Sequence, residues 1–175
     1  MNMTKALLNQ QEAATLGRLL YMMHPRFGLL WGMGIETGFR IGDLLRLRLK
    51  DVKDFKFIMR EQKTGNRRPL ELSEGIRQEI DLYASRYRIL PSDYLFYSGE
   101  QNKRKPMSRQ WAHRVISRMA RLRGLKSIGV HSMRKMYACN LFRATGSILS
   151  VQGALGHKHP STTMIYLKDL LEGQI

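Results

Sequence analysis

With 175 residues, the chain has room for one domain with its own core but not for a second globular unit. Thirty Lys and Arg against 14 Asp and Glu leave a net charge of +16, while 43% of the residues are apolar; a disordered basic tail is excluded and an acidic polymer is the expected partner. Cys139 is the single cysteine, which rules out an internal disulfide and a cysteine-based zinc site and fits a reducing cytoplasm, and no apolar run approaches the ~20 residues that span a bilayer.

Between Ala6 and Met23, Leu7, Leu8, Ala13, Leu16, Leu19 and Leu20 recur at spacings of three and four and predict a helix, which Pro25 ends. Residues 27–37 are apolar and glycine-bearing, and from Arg40 to Lys50 leucines alternate with basic residues; a helix is expected over each stretch. Phe55 to Arg60 alternates, Lys63-Thr64-Gly65-Asn66 supplies a turn, and Pro69 to Leu72 resumes an extended pattern, so a β-hairpin is predicted. Ser73 caps a helix carrying Ile76, Ile80, Leu82 and Tyr83 that Pro91 closes, and a short strand is expected at Tyr94 to Tyr97. After the basic loop from Gly99 to Pro106, Ser108 caps a helix with Trp111, Val115, Met119 and Leu122 on its core face. Three more helices follow: Val130 to Ala144, stopped at Gly146; Ser147 to Gly156; and a last one opened by Pro160. The expected class is α+β, mainly α: a helical domain with a small antiparallel β-hairpin at one edge.

Taken singly, the chemical signals are weak. Five histidines and 19 arginines give about half a His-x-x-Arg by chance, so His131-Ser132-Met133-Arg134 alone proves nothing. Order and surroundings carry the weight. Thr37-Gly38-Phe39-Arg40-Ile41-Gly42-Asp43-Leu44-Leu45 comes first, then Lys63-Thr64-Gly65, then His131-x-x-Arg134. Leu155-Gly156-His157 running to Thr162-Thr163-x-x-Tyr166 completes the set. In that order the motifs resemble those of the catalytic domain of tyrosine recombinases, the phage integrase family, over roughly residues 6 to 170.

The resemblance implies breakage and rejoining of DNA at a phosphodiester, and each residue type suits that chemistry. Arg40 and Arg134 carry forked donors for the nonbridging oxygens, a geometry lysine lacks. His157 adds a third donor, Tyr166 attacks to leave a 3′-phosphotyrosyl link, and Lys63 protonates the departing 5′-oxygen. His131 either accepts the tyrosine proton or positions the phosphate. Since the link retains the energy for religation, no metal, ATP or other cofactor is implied. Asp43, three residues beyond Arg40, is expected to orient a neighbouring basic group; the family more often has Glu there.

Arg46, Arg48, Arg67, Arg68, Arg109, Arg114 and the loop Lys103-Arg104-Lys105 are expected at DNA phosphates. The resemblance also implies duplex recombination sites as substrate, a homotetramer on DNA formed from free monomers, and accessory DNA-bending proteins as candidate partners. Residues 1–175 are expected to form one catalytic domain without the helical DNA-binding domain that precedes it in most members, as a natural minimal recombinase or as part of a longer integrase. Two other readings stay open: a type IB topoisomerase-like enzyme that relaxes supercoils, and a catalytically silent basic DNA-binding regulatory module. The last nine residues, with Leu167, Leu170 and Leu171 on one helical face, are expected either to complete the domain's own core or to dock on a neighbouring protomer.

Overall fold

The computed structural model describes residues 9–53, 56–62, 65, 67–99 and 103–171. Helix α1 (Gln10–Met23) opens on a reciprocal cap: the Glu12 N–H donates to the Asn9 side chain at 2.8 Å and the Asn9 N–H to the Glu12 carboxylate at 3.0 Å. His24 closes α1 and opens α2 (Pro25–Thr37), its ring nitrogen Nδ1 accepting from the Arg26 N–H at 3.2 Å, and Pro25 takes the first helical position, where its missing N–H costs nothing. The two helices bury Leu16, Leu20, Phe27, Leu30, Trp31 and Met33 almost completely, and the Trp31 indole finds its acceptor in the Ala13 carbonyl at 3.0 Å.

From Arg40 to Lys50 the expected helix does not form. Only a short turn, α3 (Ile41–Leu44), is helical, and a 3₁₀ turn covers Leu49–Asp51. The chain turns at Leu45 and is extended at Arg48, and it buries Leu45, Leu47 and Leu49 while Arg46 and Lys50 stay exposed. The hairpin forms as β1 (Lys56–Arg60) paired antiparallel with β2 (Arg67–Glu71), Arg60 opposite Arg67. Ser73 caps α4 (Glu74–Arg86). Residues 94–97 make isolated bridges instead of a strand, Arg48 with Tyr94 and Tyr97 with Pro106. Their hydrogen bonds divide between two different segments, Leu95 donating to the Leu47 carbonyl while Phe96 accepts from Met107, so no continuous ladder grows.

Helix α5 (Arg109–Leu122) is capped by Ser108 and buries Ala112, Val115, Ile116 and Ala120, a face rotated from the one expected: Trp111 is 41% and Leu122 71% exposed. Helix α6 (Val130–Thr145) ends at left-handed Gly146, α7 (Ile148–Leu155) at left-handed Gly156, and α8 (Pro160–Leu171) follows. Two close approaches place the site. Gly34 lies against Met133 with no space for a Cβ, and Gly38, at φ 63°, is covered by the Tyr137 ring. They bring the end of α2, and so Arg40, against α6, which carries Arg134. In α8, Leu167 is fully buried and Leu170 packs against the core of its own domain, while Leu171 is exposed. That describes the first of the two tail expectations as far as residue 171.

Candidate active site

Stretches far apart in the chain line one cavity of about 550 Å³, among them Arg40, Asp43, His131, Arg134, His157 and Tyr166. Arg40 sits in extended backbone just before α3. It is 26% exposed and donates from Nη1 to Glu61 at 2.5 Å. Arg134 points inward from the first turns of α6, 4% exposed, and donates to the Gly38 and Leu155 carbonyls, each at 2.5 Å. Of its five N–H donors two are thereby committed, which leaves three for a ligand in the cavity. Burial first, and then the nearby Arg40, pull its pKa below the usual arginine value.

His157 follows the left-handed Gly156, its backbone N–H returning to the Gln152 carbonyl at 3.1 Å. Its Nδ1 is 3.0 Å from the hydroxyl of fully buried Thr163, and its ring lies 5.2 Å from that of Tyr166 on α8. Burial, then Arg134 and Arg40, push its pKa down to about 4 from the ordinary 6.5. Native His157 is therefore neutral near pH 7. A histidine held neutral in the folded state gives stability that is complete above pH 6.5 and is lost as pH falls towards 4, where the unfolded chain takes up a proton that the folded chain refuses. Melting temperature should accordingly drop between pH 7 and pH 4.5, and His157→Asn should flatten that slope; parallel profiles would show that His157 does not titrate in this way.

Lys63 lies outside the described residues. Its neighbours are held to the site, since the Gln62 N–H donates to Asp43 Oδ1 at 3.1 Å and the Gly65 N–H to the Glu61 carbonyl at 2.8 Å. Among the described residues, Asp43 thus accepts from backbone of the hairpin, where a neighbouring basic side chain was expected. Arg40 pairs with Glu61, only 2% exposed and outside every motif of the sequence. Its one signal was an acid beside the hairpin lysine in a chain short of acids. In the sequence Thr163 is marked only by its place in Thr162-Thr163-x-x-Tyr166.

Of the residues expected at phosphates, three are turned to internal work. Arg68 donates to the Thr37 and Ala154 carbonyls with its guanidinium 4.1 Å over the Phe39 ring, and burial lowers its pKa. Arg48 donates to the Ser92 carbonyl and lies over Tyr94. Lys103 donates to the Tyr87 and Arg88 carbonyls at 2.5 and 3.0 Å, closing the end of α4. In each case a carbonyl left bare by a helix end or turn takes the cation. Arg46, Arg67, Arg104, Lys105, Arg109 and Arg114 are exposed, and Arg109 also lines the cavity, its guanidinium packed over Gly42.

The sequence pattern of the phage integrase family matches residues 12–172. The chain belongs to that family. Within it, the chain is 31% identical over 168 residues to the probable integrase/recombinase YoeC of Bacillus subtilis, covering 95% of this chain and 91% of that protein. It is 29% identical over 142 residues to tyrosine recombinase XerA of Pyrococcus furiosus, covering 80% of this chain and 48% of that protein. This member of the family therefore spans nearly all of one relative and about half of another. Its fold matches the crystal structure of XerA recombinase with a TM-score of 0.76 at 23% identity, over 98% of this chain and 66% of that one. It also matches XerH site-specific recombinase bound to palindromic difH substrate in a post-cleavage complex, at a TM-score of 0.75 and 20% identity, over 99% of this chain and 53% of that one. No described helix is long and apolar enough to cross a membrane.

Proposed function

We propose that the chain is the catalytic domain of a site-specific DNA recombinase that cleaves and rejoins duplex DNA through a 3′-phosphotyrosyl intermediate on Tyr166. The observation that carries this reading is the gathering of Arg40, His131, Arg134, His157 and Tyr166, from separate parts of the sequence, around one cavity. A phosphodiester seated there meets the free N–H groups of Arg40 and Arg134 at its nonbridging oxygens, where charge builds in the pentacoordinate state. With the Thr163 hydroxyl donating to Nδ1, neutral His157 keeps a proton on Nε2 and acts as a third donor. That leaves His131 to accept the Tyr166 proton as the tyrosine oxygen bonds to phosphorus. The bond from phosphorus to the 5′-oxygen breaks, and Lys63 supplies the proton that this oxygen takes. Reversal with a different 5′-hydroxyl rejoins the strand.

Electrostatics support a duplex partner. Arg60 and Arg67 stand directly opposite at the turn end of the hairpin, both exposed. Like charges in that arrangement repel unless an anion lies between them, and a DNA phosphate supplies one. A homotetramer on paired sites, assembled from free monomers and aided by DNA-bending proteins, fits the single tyrosine each chain brings to a reaction that cuts four strands. A supercoiled plasmid with two copies of a site recovered by covalent trapping from a random duplex library tests the reading. Exchanged segments are the expected product. Relaxation without exchange would indicate a topoisomerase-like enzyme, and binding without either would indicate a silent DNA-binding module.

A further inference from the structure

Arg40, Arg68, Arg134 and His157 crowd together closely enough that each arginine lowers the pKa of at least one other member of the group. Such a cluster requires a counter-charge when no phosphate is present. Glu61 supplies it. Its carboxylate is 2% exposed, lies 2.5 Å from Arg40 Nη1, and acts on Arg68, Arg134 and His157 in the direction that opposes their lowering. The carboxylate takes a single Arg40 nitrogen, so the rest of the fork is left for a ligand. Backbone on either side is fixed as well: Glu61 accepts from Gly65, and Gln62 donates to Asp43, which lies on α3 immediately after Arg40. Arg40 is thereby held from two directions by the hairpin end.

We infer that Glu61 is a positioning residue: it holds the Arg40 guanidinium in the orientation that meets the scissile phosphate and sets the charge of the cavity so that transition-state binding is favoured over plain phosphate binding. This rests on the function proposed above. Two consequences distinguish it from a merely structural role. Removing the Glu61 charge makes the cavity more positive, so DNA in its ground state is held as tightly or more tightly, while cleavage slows because Arg40 loses its alignment. And since Glu61 acts through Arg40, its loss has little left to damage once Arg40 is already compromised.

The experiment is single-turnover cleavage of a nicked duplex, with equilibrium DNA binding and melting temperature measured alongside, for wild type, Glu61→Gln, Arg40→Lys and the double variant. Glu61→Gln should cleave on the order of tenfold slower or worse with no loss of DNA affinity, and the same change in the Arg40→Lys background should cost less than about twofold. Glu61→Asp, which keeps the charge but draws it back by one methylene, should fall between wild type and Gln; it carries the test if the Gln variant melts below assay temperature. Equal slowing by Glu61→Gln in both backgrounds, weaker DNA binding in proportion to the lost rate, or faster cleavage would each overturn the inference, the last by making the Arg40 contact a brake. A wild-type chain that forms no covalent product would instead refute the proposed function, leaving the two failures distinguishable.

Discussion

Tyr166→Phe is expected to bind duplex DNA with the affinity of the wild type and to form no covalent complex. The substitution removes one oxygen from a half-buried ring on α8 whose neighbour Leu167 is fully buried, so the helix has no reason to move. The oxygen it removes is the proposed nucleophile, and no other group in the cavity replaces a phenol that both attacks phosphorus and later leaves it. The loss should therefore be complete within detection and not partial. Gel-shift affinity and a denaturing gel for protein joined to labelled DNA check the two halves separately. A variant that still forms adduct at wild-type yield would remove Tyr166 from the mechanism.

Arg134→Lys is expected to lower cleavage by about 10² or more, the scale for losing one preorganised donor to a developing oxyanion, and to lower stability too. The second effect follows from burial. The guanidinium bridges the Gly38 carbonyl at the end of α2 and the Leu155 carbonyl at the end of α7, and a lysine ammonium cannot reach both and still present a fork to a phosphate. A buried carbonyl left unpaired costs about 1–3 kcal/mol, which for a domain of this size is a fall of several degrees in melting temperature. Arg40→Lys makes the contrast. Its guanidinium is 26% exposed and bonds a side chain, not the ends of two helices, so its cleavage should fall on the same scale with a smaller change in melting temperature. Equal destabilisation by the two variants would mean that the Arg134 contacts do not hold the helix ends together.

How much of this was legible in the sequence depended on the distance over which the deciding interaction acts. Local rules found the caps at Ser73, Ser108 and Ser147, the left-handed stops at Gly146 and Gly156, and the hairpin, because each is settled within a few residues. From Arg40 to Lys50 the alternation of leucines with basic residues predicts a helix that does not form, because the bridges of Leu47 and Arg48 to Leu95 and Tyr94 depend on residues nearly fifty positions away. The buried face of α5 is offset by one residue from the periodic one for a related reason: Ala112 and Ala120, with Val115 and Ile116, face the core, and bulky Trp111 is left at the surface. For the site, ordered motifs identified the cavity residues, whereas the inward turn of Arg68, Arg48 and Lys103 came from carbonyls that no pattern marks. Glu61 carries only the faint signal of an acid near the hairpin lysine, because its partner Arg40 lies 21 positions earlier in the chain.

A covalent bond between Tyr166 and DNA can be trapped and located. A duplex carrying the trapped site, nicked just downstream of the cleavage position so that the short 5′-hydroxyl fragment diffuses away, should accumulate protein joined to DNA without added metal or ATP. Peptide mass spectrometry of the digested adduct should find the nucleotide on the α8 peptide at Tyr166, attached through the 3′-phosphate. An adduct on a different residue, a link to the 5′ end, or DNA that is bound under the same conditions with no adduct formed would contradict the account.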